Sequence, residues 1–254
     1  MQFAPALLAA LRQARQVAVL TGAGVSAESG VPTFRQAQSG LWAQYRPEDL
    51  ATPEAFRHNP RLVWEWYASR RERLAQVQPN PGHFALAEMQ RRVPQLTLIT
   101  QNVDGLHQQA GSQGVIELHG SIQRVKCFEK NHPIDSWALD GEVPPRCPRC
   151  GGLLRPDVVW FGEALPQEAL QAAIRAADTC DIFFSVGTSG VVYPAAALPY
   201  HALEHGALVV EINPEATPIR EIAAHTLCGP SGEILPELVQ AAWPNKGYNH
   251  NTIP

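Results

Sequence analysis

No stretch of the 254 residues is long and apolar enough to span a membrane as a helix, and no cluster of Lys and Arg marks a footprint for nucleic acid. There are 20 basic against 24 acidic residues, for a formal charge of −4, so direct nucleic-acid binding is not expected while a basic peptide partner fits. The apolar run Ala6 to Leu11 has no basic region ahead of it and Arg12 and Arg15 behind it, which is not the layout of a signal peptide. Cysteine is scarce and odd in number, at five. That speaks against a disulfide framework and for a reducing compartment, so a cytoplasmic location is expected. Internal repeats are also missing.

What is present is a 45% apolar chain long enough to bury a substantial core. Residues 4–15 carry Leu7, Leu8 and Leu11 in helical spacing and run into the buried-strand segment Val17 to Leu20. Further short apolar strands are predicted at 96–99, 115–118, 182–186 and 207–212, with helical patterns at 82–92, 166–177, 194–205 and 232–242. Such alternation implies parallel βαβ units: an α/β fold with a doubly wound sheet and the ligand at the carboxyl ends of its strands. Two segments break the alternation. Residues 36–80 show Trp, Arg and Glu in helical spacing, and residues 121–158 are rich in Pro, Gly, Cys and charge. Both are read as insertions forming a smaller module on a main domain of residues 1–35, 81–120 and 159–254, the last ten or so residues being a loose tail.

Thr21-Gly22-Ala23-Gly24-Val25-Ser26-Ala27 follows a strand and enters a helix, the context a dinucleotide turn requires. Any tight strand-to-helix turn could look the same. A hydride-transfer enzyme would also need an acidic residue at the end of the next strand, about 20 residues on, to hold the ribose. Glu48 and Asp49 stand at that distance but follow no strand, whereas Asn213-Pro214-Glu215 stands directly after the last predicted strand and receives the adenosine end here. This disfavours a dehydrogenase. A non-catalytic zinc-ribbon module is disfavoured by the missing basic face.

Four segments decide the class: residues 22–35 (Gly22-Ala23-Gly24 through Ser26 to Pro32-Thr33-Phe34-Arg35), Thr100-Gln101-Asn102-Val103-Asp104-Gly105-Leu106-His107, Leu118-His119-Gly120, and Gly187-Thr188-Ser189. In this order they resemble the sirtuins, the NAD-consuming protein deacylases, over about residues 17–242. The resemblance implies a Rossmann-like NAD domain with a small module of a helical part and a zinc ribbon. It also implies acylated-lysine proteins as substrates, and nicotinamide, acyl-ADP-ribose and free lysine as products. By the same resemblance His119 is the general base on a ribose hydroxyl. Asn102 and Asp104 surround the nicotinamide pocket, with Gln101 near the ribose. Gly187, Thr188 and Ser189 serve phosphate or ribose, Ser231 lies near the adenine, and Phe34 and Arg35 belong to a cofactor loop. Val158 to Glu163 resembles the family's peptide-binding stretch, with Val159 and Phe161 lining the acyl-lysine channel.

Tyr67 and Arg70 are three apart in a helical segment, hence on one face, where a phenol and a guanidinium can grip a carboxylate. The spacing alone fits an ordinary basic face equally well. The Tyr-x-x-Arg arrangement resembles the sirtuin subgroup that removes succinyl and malonyl groups. Members of the family usually carry two Cys-x-x-Cys pairs on one structural zinc. Here Cys147-Pro148-Arg149-Cys150 supplies one pair, but Cys127 has Lys130 where its partner would stand, and His132 is the nearest substitute. Cys180 and Cys228 are expected merely to pack.

Overall fold

The computed structural model describes residues 2–31, 45–46, 49–137 and 141–244. Six parallel strands build the larger sheet: β1 (Gln16–Thr21), β2 (Gln95–Thr100), β3 (Ile116–Glu117), β7 (Ile182–Val186), β8 (Leu208–Asn213) and β9 (His225–Cys228). Their order is β3-β2-β1-β7-β8-β9. The chain builds outward from β1 in one direction, then returns to lay β7 against β1 on the other side. An open parallel sheet receives its ligand at such a reversal, outside the carboxyl ends of the strands.

Both faces are covered. Helices α1 (Pro5–Gln13), α5 (Pro81–Arg92) and α9 (Ser231–Ala242) pack one face, burying Leu7, Leu11, Leu86, Met89 and Leu235 against Leu98 and Phe184. On the other face α7 (Gln167–Thr179) and α8 (Leu198–Glu204) bury Ala173, Ala177 and Leu198 against Leu20, Ile99 and Phe183. The near-continuous apolar runs of β1 and β7 follow from this two-sided burial. Cutting Leu86 to Ala would cost about 2–5 kcal/mol.

A second, antiparallel sheet holds β4 (Gly120–Cys127), β5 (Pro133–Ile134) and β6 (Leu154–Val158) in the order β5-β4-β6. Against it pack α3 (Pro53–His58) and α4 (Pro60–Leu74), through Phe56, Val63, Trp66, Tyr67, Ile122, Val158 and Trp160. Three helices start on the same device, a capping side chain followed by proline. Thr52 accepts from the Ala55 amide at 3.0 Å, Asn59 from Leu62 at 3.1 Å, and Asn80 from Gly82 at 2.9 Å.

Several elements depart from the sequence reading. Strand β9 was not foreseen, and β3 spans two residues rather than four. The helix expected over 194–205 begins as a 3₁₀ turn, Ala195–Ala197. Cys180 packs as expected, but Cys228 is exposed and accepts from the Arg220 guanidinium at 3.1 Å. No helix of the described residues is long and apolar enough to cross a membrane.

Candidate active site

The loops after β1, β2 and β7 meet at the reversal of the sheet. Gly22, Ala23 and Gly24 lead from β1 into the short helix α2 (Gly24–Ala27). The Gly22 amide donates to Val186 O at 3.1 Å and the Gly24 amide to Gly187 O at 2.8 Å, so both join the loop to β7. A Cβ on Gly24 would stand 2.7 Å from the Gly187 Cα, and Gly187 has φ +58. These glycines therefore let two loops pass at backbone distance, a demand additional to the dinucleotide turn expected from the sequence.

A buried polar network continues from this turn. Ser26 Oγ donates to Asp104 Oδ2 at 2.8 Å, and the Asn102 amide donates to Ser26 Oγ at 3.1 Å and to Gly22 O at 3.0 Å. Asp104 Oδ1 also accepts from the Leu106 amide at 3.0 Å, at the turn through Gly105 that precedes the short helix Leu106–Gln109. Burial pushes the Asp104 carboxyl up, opposed by the Leu106 and Ser26 hydrogen bonds and by Arg70. Further along the edge Gln101 donates to Thr188 Oγ1 at 2.9 Å, and Asn213 donates to Thr188 O at 2.8 Å. One continuous rim thus runs from β2 across β1 and β7 to β8.

His119 stands between β3 and β4. Its Nδ1 lies 2.8 Å from Gln101 O, an acceptor only, so Nδ1 carries the proton and Nε2 is left as the basic nitrogen. Burial lowers its pKa, with the Gln101 carbonyl opposing, which leaves the ring neutral near pH 7. The Val159 amide donates to His119 O at 2.9 Å, which fixes the start of the segment 159–161 beside His119. Phe161 is 55% exposed, and its amide donates to Ala51 O at 2.9 Å.

Tyr67 and Arg70 come from α4. Tyr67 is buried and burial pushes its hydroxyl up to about 12, so it is a proton donor at any physiological pH. The Arg70 guanidinium stacks 4.9 Å from the Trp66 ring centroid. Its charge acts on both Tyr67 and Asp104, which sets the pair beside the polar network.

Not every foreseen residue converges. Ser189 and Glu215 are exposed and make none of these contacts. Ser231 is buried at the start of α9, where the next amide, that of Gly232, donates to Glu28 at 2.6 Å. Phe34 and Arg35 lie outside the described residues. Two histidines were missed. His83 Nε2 lies 3.4 Å from Ser26 Oγ, His107 Nε2 lies 2.9 Å from Thr21 Oγ1, and their rings are 4.8 Å apart. Burial holds them down to about 4 and about 3 respectively, so both are neutral struts beneath the network. The sequence signals were the cap-like Asn80-Pro81-Gly82-His83 for the first and, for the second, its place at the end of the Thr100 to His107 segment.

In the smaller sheet Cys127, His132, Cys147 and Cys150 bring four ligand atoms within 4.8 Å of one another. Cys127 Sγ lies 3.4 Å from Cys150 Sγ, and His132 Nε2 lies 3.2 Å from Cys147 Sγ. A tetrahedral zinc with Zn–S near about 2.3 Å needs donors this close, and three thiols with one imidazole fit it with no position left for substrate. Burial raises the Cys147 thiol, but the Arg149 amide and His132 outweigh it and bring it down to about 6, toward the thiolate that a metal requires. His132 thus occupies the place left by Lys130.

The fold and its polar rim define a nucleotide-binding α/β protein with a structural zinc site, and comparison with known proteins narrows the class. The Sir2 family model matches residues 22–194. The NAD-dependent protein deacylase 1 of Pseudomonas aeruginosa is 52% identical over 247 residues, covering 94% of this chain and 99% of that protein. The NAD-dependent protein deacylase of Aquifex aeolicus is 57% identical over 208 residues, covering 82% and 87%. Among solved structures, a Sir2 homologue–NAD complex superposes with TM-score 0.88 at 46% identity, covering 95% of this chain and 94% of that one. Sir2Af2 bound to a myristoylated histone peptide superposes with TM-score 0.73 at 38% identity, covering 92% and 94%. The chain belongs to the Sir2 family, the sirtuins.

Proposed function

We propose that this sirtuin, an NAD-dependent protein deacylase like its relatives, removes succinyl and malonyl groups from lysine at least as readily as acetyl groups. The observation that carries the finer statement is the buried Tyr67 donor one helical turn from the stacked Arg70 guanidinium, beside the network that holds Asp104. A cation and a neutral donor so placed recognise a carboxylate, whereas an acetyl methyl makes no use of either.

NAD, when bound, supplies the ribose carbon that takes the acyl oxygen and the nicotinamide that leaves. The chain's own groups divide the remaining work. Nε2 of His119 takes the proton of a ribose hydroxyl, its tautomer fixed by Gln101 O. Asn102 and Asp104, held by Ser26, line the nicotinamide end, and Gln101, Thr188 and Asn213 run toward the adenosine end. Gly22, Ala23, Gly24 and Gly187 form the phosphate floor, with Phe34, Arg35, Ser189, Glu215 and Ser231 as further cofactor positions by family resemblance. Val159 and Phe161 line the acyl-lysine channel, and the peptide pairs with that segment as an added strand. The segments 36–80 and 121–158 act as the small module carrying specificity and zinc. The substrates are acylated-lysine proteins, encountered in the cytoplasm, where the five cysteines stay reduced.

The test is a panel of acetyl-, succinyl- and malonyl-lysine peptides incubated with NAD, products followed by mass spectrometry, with wild type and Arg70→Met. Desuccinylation falling far more than deacetylation in the variant supports the reading. Equal loss of the two sinks it.

A further inference from the structure

Trp160 sits between the two expected channel residues, Val159 and Phe161, and points the other way, into the core of the smaller module. It is 2% exposed. Its ring packs against Phe56 and Phe128, at centroid distances of 5.4 and 6.4 Å, and carries the Arg155 guanidinium 3.3 Å from its centroid. Arg155 is in turn fixed by both oxygens of Glu163, at 2.5 and 2.9 Å, and by Val158 O at 2.7 Å. Glu163 Oε2 also accepts the Trp160 amide at 2.8 Å. The indole is thereby held at its face and at its backbone, with little freedom to turn.

That fixed indole donates its Nε1–H to the Tyr67 hydroxyl oxygen at 3.0 Å. An indole nitrogen is a donor only, so Tyr67 must be the acceptor of this bond, and its own proton has to point elsewhere. No other hydrogen bond of the hydroxyl exists among the described residues. A donor proton left over in a buried site beside a guanidinium is an arrangement that a ligand carboxylate completes.

We propose that Trp160 is a specificity-positioning residue: its indole N–H occupies the Tyr67 oxygen and so turns the Tyr67 proton toward the carboxylate of a succinyl or malonyl group. Arg155 and Glu163 are the brace that keeps the indole in place. This rests on the charged-acyl reading above. Without the indole donor, the Tyr67 hydroxyl is free to rotate and presents its lone pairs to the carboxylate part of the time.

The test is a double-mutant cycle of Trp160→Phe and Tyr67→Phe, reading KM and kcat separately for succinyl- and acetyl-lysine peptides at saturating NAD. Trp160→Phe should raise the succinyl KM about five-fold, the size of one hydrogen bond, while the acetyl KM moves much less. In the Tyr67→Phe background the same change should add nothing, since there is no hydroxyl left to orient; a purely structural tryptophan would add its penalty in both backgrounds. Effects equal on the two acyl groups, or additive with Tyr67→Phe, overturn the assignment. If Trp160→Phe does not fold, the Trp160 indole proton resonance of the wild type reads the same bond. It should shift on binding succinyl-lysine peptide and not on binding acetyl-lysine peptide, and equal responses overturn the assignment. An Arg70→Met variant that keeps full succinyl activity removes the charged-acyl reading and this assignment together. One that loses it, while Trp160 proves independent of Tyr67, removes only the assignment.

Discussion

The two sheets handle buried polarity in different ways. At the carboxyl edge of the six-stranded sheet, Thr21, Ser26, His83, Asn102, Asp104 and His107 form a net of hydrogen bonds, with one carboxyl pushed toward neutrality and two histidines held neutral. The smaller module instead seats guanidinium groups on aromatic rings, Arg57 on Phe128, Arg70 on Trp66, Arg71 on Trp64 and Arg155 on Trp160, and gathers three thiols and an imidazole. Chemistry common to every substrate calls for fixed, weakly charged groups whose proton positions are set. Discrimination of a charged substrate calls for a cation kept partly desolvated, and a ring face does that without neutralising it.

The largest effect should come from attacking the module's metal. One zinc per chain is expected on elemental analysis, and its chelation should lower stability on the order of 10 kcal/mol at neutral pH, read as a large drop in Tm. A purified protein with no zinc and undiminished Tm would remove the metal from the account.

Next in size is His119→Ala, which should lower kcat by about 10²–10⁴-fold for every acyl group tested, in steady-state nicotinamide release. Because burial depresses the His119 pKa, the basic form survives below the ordinary histidine range. The acid limb of the kcat/KM profile should therefore fall below about 6.5. A limb above that value would show that another group titrates.

Acid should then single out the nucleotide edge. His83 and His107 take protons near 6.5 in the unfolded chain but only near about 4 and about 3 when folded. The unfolded state thus binds more protons in that interval. Stability is full above about pH 6.5 and falls as the pH drops, by on the order of 3 kcal/mol per histidine at pH 4. Urea midpoints taken from pH 7 to pH 4 measure it, and His83→Gln should flatten the slope. At the small end, Arg61→Ala should cost under about 0.5 kcal/mol, since its 2.7 Å pair with Glu65 is exposed on both sides.

The same division governs what was legible beforehand. The strands buried on both faces, β1, β2, β7 and β8, announced themselves as apolar runs, and the motif residues stood at their ends. Strand β9, His225-Thr226-Leu227-Cys228, is an edge strand with a single buried residue, so its composition carries no alternation to find. The cluster of Cys127, His132, Cys147 and Cys150 was readable because metal chemistry restricts residue type and spacing. His83, His107 and the Trp160–Tyr67 bond were not, because each depends on burial created by a partner distant in sequence: 57 residues from Ser26 to His83, 86 from Thr21 to His107, and 93 from Tyr67 to Trp160. The glycine turn carries a further demand that the sequence does not show, the approach of Gly187 at backbone distance.

The separation of the two regions is tested most directly by one ratio, kcat/KM for succinyl-lysine over that for acetyl-lysine peptide, measured in wild type, His119→Ala and Arg70→Met. The account predicts that His119→Ala lowers both terms and leaves the ratio near the wild-type value, while Arg70→Met collapses it. A ratio unchanged in Arg70→Met, or altered as much in His119→Ala, would contradict it.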